Sequence, residues 1–118
     1  MKSKILLFLL LLISCSSNVN YNNLYGSWRL RDVLDVSNQN ASDKTTFYKN
    51  GTVIFEIFSN KKLVTKINSK YILNKSNKNL TIYYNNNILV TYKIEKLNET
   101  ELDLLDIKTK RIIRNIHL

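Results

Sequence analysis

The side chains able to do chemistry in this chain are few and widely separated. One cysteine, Cys15, and one histidine, His117, stand near opposite ends of 118 residues. Neither a cysteine–histidine nucleophile pair nor a zinc cluster therefore has its raw material. A lone thiol also rules out an intrachain disulfide. A serine nucleophile would need a base and a Gly-x-Ser-x-Gly elbow, and the chain has only two glycines. The carboxylates Glu99, Glu101, Asp103 and Asp106 gather late in the chain, but they alternate with Leu102, Leu104 and Leu105 and read as the solvated face of a strand. A paired-carboxylate glycosidase would find little cleft in so small a domain. The expectation is a protein that is not an enzyme and uses no metal or cofactor, with His117 structural or exposed. The one reactive group in a defined setting is the Cys15 thiol.

That setting is an N-terminal leader. Lys2 and Lys4 form a short positive segment, and Ile5 to Ile13 is an unbroken apolar run, the pattern of a signal peptide. The run is too short to span a bilayer, which takes about 20 apolar residues. It also lacks the polar face of a helix packed on a soluble core. Leu12-Ile13-Ser14-Cys15 resembles the lipobox of bacterial lipoproteins: an aliphatic residue three before the cysteine, a tolerant position, then a small residue. The resemblance implies a signal peptide over 1–14, cleavage between Ser14 and Cys15, diacylglyceryl on the Cys15 thiol and acylation of the new amino group. Two or three acyl chains hold a protein on a membrane where one is marginal. Ser16 stands where an inner-membrane retention signal would have Asp, so the implied address is the bacterial cell envelope, anchored in the outer membrane. The polar stretch 15–23 reads as lipidated cysteine plus flexible tether, with the folded domain over 24–118.

Eighteen Lys and Arg against nine acidic residues give a net charge of +9, which falls by two, to +7, with the loss of Lys2 and Lys4. Such a balance suits anionic partners such as lipid headgroups or acidic polysaccharide. Nucleic acid is disfavoured, because the cations are scattered and Lys108-Thr109-Lys110-Arg111 is a weak run; most read as a solubilising surface. With 44% hydrophobic and 23% charged residues, the chain is neither disordered nor apolar throughout.

The elements behind the tether show period two, not 3.6. Leu24, Trp28, Leu30, Leu34 and Val36 share one parity, and Asp32 is the single polar residue on it. Thr45 to Tyr48 and Val53 to Phe58 flank Lys49-Asn50-Gly51-Thr52, a strong hairpin signal. Further strands are expected over Leu63–Ile67 and Lys70–Leu73, separate or joined as one bent strand, then Leu80–Tyr84, Ile88–Leu97, Leu102–Ile107 and Arg111–Ile116. In a chain without proline, asparagine serves as the turn-former between them. Glu99 to Ile107 is the one stretch where a helix competes, through Leu102, Leu105 and Asp106. About eight short strands at regular spacing give an all-β antiparallel barrel or sandwich.

Gly26-Ser27-Trp28 opening the first strand, the Thr46 to Val53 hairpin, and Lys70-Tyr71-Ile72-Leu73 before Asn79-Leu80-Thr81-Ile82 resemble small bacterial lipocalin-like lipoproteins over Leu24 to Ile107. The resemblance implies an up-and-down barrel of about eight strands whose interior is packed shut or holds one small apolar ligand. Gly26 and Trp28 are then structural. Trp28, Asp32, Phe55, Tyr71 and Tyr92 are the candidate ligand contacts. Larger lipocalins have a C-terminal helix and a disulfide that this chain lacks. Two functions of different class follow: a lipid-anchored module for a small apolar or amphipathic ligand, or a lipid-anchored interaction protein binding another envelope component or an effector. The interior decides between them, and Trp28, Leu30, Phe55, Ile57, Tyr71, Leu80, Ile82, Val90 and Tyr92, all expected to face inward, are bulky. In the last strand isoleucines occupy both parities. Either Ile112, Arg114 and Ile116 face inward, with Arg114 stacked on Trp28 as in lipocalins, or Ile113 and His117 do and Arg114 is an exposed charge.

Overall fold

The computed structural model describes residues 19–31 and 41–118. The leader, Cys15 and the first part of the tether lie outside them, as do Asp32, Leu34 and Val36.

Alternating β-branched or aromatic and polar residues suit a pleated surface with one dry and one wet face, and eight such segments close on themselves. They are β1 (Gly26–Leu30), β2 (Ala41–Phe47), β3 (Thr52–Ser59), β4 (Lys62–Asn74), β5 (Asn79–Tyr84), β6 (Asn87–Leu97), β7 (Glu101–Asp106) and β8 (Ile112–His117). Each pairs antiparallel with the next, and β8 returns to β1 through Trp28↔His117, Arg29↔Ile116 and Leu30↔Asn115, closing an up-and-down barrel. The two segments expected around Lys70 are one strand, β4. Glu101–Asp106 is a strand, its buried Leu102 and Leu104 two residues apart. The first strand is shorter than its apolar parity suggested, since β1 ends at Leu30. Tyr21–Leu24 form a 3-10 helix whose N-cap, Asn20, accepts the Asn22 amide at 3.1 Å. The folded chain thus includes residues read as tether.

The two ends of the barrel are built with different turn chemistry. At the end where β2 meets β3, β4 meets β5 and β6 meets β7, asparagine side chains fold back onto the chain. Asn50 accepts the Thr52 amide at 3.0 Å, Asn74 the Ser76 amide at 3.1 Å, and Asn98 the Thr100 and Glu101 amides at 2.9 and 2.8 Å. Gly51, at φ +91°, supplies the left-handed residue of the first of these turns. At the opposite end two hairpins turn on pairs of residues with positive φ, Asn60-Lys61 and Asn85-Asn86, the geometry that matches the twist of two-residue hairpins.

The asparagine-turn end is the plugged one. Leu24, Trp28, Val53 and Leu80 are fully buried, and Phe47, Ile94 and Leu102 nearly so. The Trp28 indole N–H donates to the Leu24 carbonyl at 2.9 Å, so the 3-10 helix is latched to the barrel floor. Ile94 and Leu97 are both buried although an odd number of residues apart. A bulge between Ile94 and Lys96 makes this possible by inserting one residue and restoring the parity.

Candidate functional site at the open end

Above the plug the described residues enclose a cavity of about 260 Å³ whose lining runs to the end opposite the 3-10 helix. Its deep part is apolar: Trp28 and Phe47 from β1 and β2, Ile82 from β5, and Leu102 and Leu104 from β7. The indole N–H is committed to Leu24, so Trp28 presents carbon surface. Phe55, Tyr92 and Ile113 form the walls, and Ile57, half exposed, stands at the mouth. Apolar cavities of about 150 Å³ hold a benzene-sized molecule, and drug-sized ligands occupy about 300 Å³ or more. This one is scaled to a single ring with a short chain.

The polar groups are sparse. Asp43 shares the inward parity of β2 with Thr45 and Phe47, and its carboxylate accepts the Leu30 amide at 3.0 Å. The backbone register between β1 and β2 stops at Trp28↔Thr45, so the side chain takes over where the ladder ends. Asn115 from β8 is buried, its amide nitrogen donating to the Leu102 carbonyl at 3.2 Å. Tyr92 lies opposite Asp106 in the β6–β7 register. Burial, and secondarily the Asp106 carboxylate, push its phenol above the ordinary tyrosine range, so it remains a neutral hydroxyl. Asp106 accepts the Lys108 and Thr109 amides at 2.9 and 3.3 Å, which holds the β7–β8 turn. Among the described residues no cluster of His, Cys, Asp and Glu could hold a metal ion.

Three of the residues expected to contact a ligand, Trp28, Phe55 and Tyr92, line the cavity. Tyr71 does not. It belongs to the plug, with its ring edge-on to Phe47 at 5.2 Å and its hydroxyl donating to the Tyr48 carbonyl at 2.5 Å. Burial, with the neighbouring Tyr25 as a smaller cause, pushes its phenol up to about 12. Asp32 and Cys15 lie outside the described residues. Arg114 is exposed: Ile113, Asn115 and His117 hold the inward parity of β8, and Arg114 is on the outer face, with Asp103 as its β7 neighbour in the backbone register. The partner of Trp28 is His117, whose ring meets the indole edge-on at 4.8 Å. Gly26 makes room for that ring, since a Cβ there would lie 2.8 Å from Nε2.

Asp43, Thr45 and Asn115 were not found from sequence. Asp43 and Thr45 continue the parity of Phe47 backwards, a signal hidden because the strand was expected to begin at Thr45. Asn115 rests on the parity of β8, which its isoleucines leave undecided.

No protein-family model and no curated protein matches the chain. Among solved structures, the NMR structure of a protein from Bacteroides uniformis is similar in fold. Its TM-score is 0.67 at 18% identity, over 84% of this chain and 92% of that one. At that identity the likeness concerns the barrel itself.

Proposed function

We propose that this chain is a lipid-anchored protein of the bacterial cell envelope whose lipocalin-like barrel binds one small apolar or amphipathic ligand in its open end. The observation that carries the binding reading is the cavity of about 260 Å³ with Trp28, Phe55 and Tyr92 on its lining. A barrel whose only task was to present its outer surface would gain by filling that space, because buried voids cost packing energy. The anchor reading is supported by Lys2, Lys4, the Ile5 to Ile13 run and the Leu12-Ile13-Ser14-Cys15 sequence.

Native mass spectrometry of the protein isolated from its own cells tests the cavity: a retained small molecule is expected. An apo mass, together with no response of the protein to small apolar probes, would overturn the binding reading. For the anchor, palmitate labelling should be lost in Cys15→Ser, and the variant should be released from the membrane or left unprocessed. A variant still cleaved and still membrane-bound would refute lipidation.

A second reading is favoured by one observation. The open-end turns expose Leu63, Val64, Ile88, Leu89, Ile107 and Ile112 beside Lys61, Lys62, Lys108, Lys110 and Arg111. The plugged end exposes fewer, Ile72 beside the Asn74 turn and the terminal Leu118. Such a rim suits contact with another envelope component.

A further inference from the structure

The charge inside the barrel is opposite in sign to the charge outside it. Lys and Arg outnumber Asp and Glu by 18 to 9 in the whole chain, yet among the described residues none lines the cavity from an inward position. Lys44, which borders it, is on the outward parity of β2, opposite Glu56 on β3. Among the described residues the charges on inward parity at this end are carboxylates, Asp43 on β2, which lines the cavity, and Asp106 on β7, which lies opposite Tyr92 beyond the lining. Asp106 is engaged by two amides of its own turn. Asp43 accepts the Leu30 amide, whereas a carboxylate has about four lone-pair sites. The Lys96–Glu101 ion pair is elsewhere, on the outer face. The nitrogen donors within the cavity are spent, the Trp28 N–H on Leu24 and the Asn115 amide nitrogen on Leu102, and the hydroxyls of Thr45 and Tyr92 on the lining can either donate or accept. The charged group that the apolar chamber offers a ligand from an inward position is therefore an acceptor, the Asp43 carboxylate, near its mouth.

We propose that the ligand is a small amine, with one ring or a short branched chain seated on Trp28 and Phe47 and its ammonium group on the Asp43 carboxylate. This rests on the reading of the cavity as a ligand site. A carboxylate-headed ligand, such as a fatty acid, would set like charges together in a partly desolvated space, at a cost in affinity. The lysines and arginine of the rim repel a cation only weakly, because they are exposed and salt screens them beyond about 8–10 Å.

The test uses three probes with the same body: 3-phenylpropylamine, 3-phenylpropanol and 3-phenylpropanoate. They are titrated into the full processed chain in phosphatidylcholine vesicles, with protein-free vesicles as blank. Trp28 is the chain's single tryptophan, so its emission reports on the cavity directly. The amine should bind about tenfold more tightly than the carboxylate, the alcohol falling between, as expected when a charge-assisted contact is made at one head and a repulsion at the other. That advantage should shrink with added salt, and in Asp43→Asn, which keeps an acceptor for the Leu30 amide, the amine-to-carboxylate ratio should fall towards one. If the alcohol binds but the amine is no better than the carboxylate, or if the advantage is insensitive to both salt and Asp43→Asn, the amine inference fails while the cavity reading stands. If none of the three moves the Trp28 emission, both fail.

Discussion

Gly26→Ala perturbs the point where the barrel closes on itself, and its cost has two separable parts. Gly26 has φ +120°, a region that L side chains adopt only with strain of about 1–3 kcal/mol. The new methyl would also lie 2.8 Å from His117 Nε2, too close for any real contact. The imidazole is at the exposed end of β8, so it can swing aside. Doing so forfeits its edge-on contact with Trp28, at 4.8 Å between centroids, worth about 0.5–1.5 kcal/mol. Together these give about 1.5–4.5 kcal/mol, a large share of the stability of a small domain. The parts are resolved by a cycle with His117→Ala. In that background the aromatic contact is already gone and the methyl has room, so Gly26→Ala should cost only the backbone strain. Urea melts of the four proteins, followed by Trp28 emission, should show the double variant more stable than the sum of the single losses by about 0.5–1.5 kcal/mol. Strict additivity would mean that His117 does not sit where the methyl needs to go. A Gly26→Ala cost below about 0.5 kcal/mol would remove the strained glycine as well.

Arg114→Met should add simply to Trp28→Leu in denaturant melts, because Arg114 is on the outer face; coupling between them would reverse the register of β8. Tyr71 should titrate late, followed by phenolate absorbance. Its folded value of about 12 exceeds the ordinary 10.0, so its contribution to stability is full below pH 10 and lost as pH rises towards 12. Tyr71→Phe should cost about 0.5–1.5 kcal/mol by leaving the Tyr48 carbonyl without its donor and should abolish that late step. A chain starting at Val19 should fold cooperatively with a β-type far-UV spectrum, whereas one starting at Tyr25 should be less stable by about 2–5 kcal/mol, because Leu24 is fully buried and accepts the Trp28 N–H. Equal stability of the two would deny the latch.

Period-two patterning made the all-β reading possible because six of the eight strands, all but β2 and β8, have a dry face of two or more large apolar residues, and Asn50-Gly51 fixed the β2–β3 turn by the only residue type comfortable at that φ. Trp28, Phe55 and Tyr92 could be assigned to the interior for the same reason. The hidden parts are those where one residue changes the parity or where both parities look alike. Leu97 is inside only because the bulge before Lys96 shifts the count. In β8, Ile112 and Ile113 are chemically equal, and it is the closure against β1 that selects Ile113. Tyr71 has the parity of a ligand contact but lies too near the plugged end to reach the cavity. Parity fixes the face of the sheet and leaves the height along the barrel open.

The position of the 3-10 helix at the plugged end has a bearing on how a ligand would travel. Val19 packs against the core there, and four residues of chain reach at most about 14 Å. With lipid on Cys15, as proposed, the barrel would stand on its sealed base with its mouth turned towards the aqueous compartment. Cargo would then arrive by diffusion through water and leave the same way. Such an orientation suits a receptor or buffer for dissolved molecules and is ill suited to extracting lipids from the bilayer beneath it.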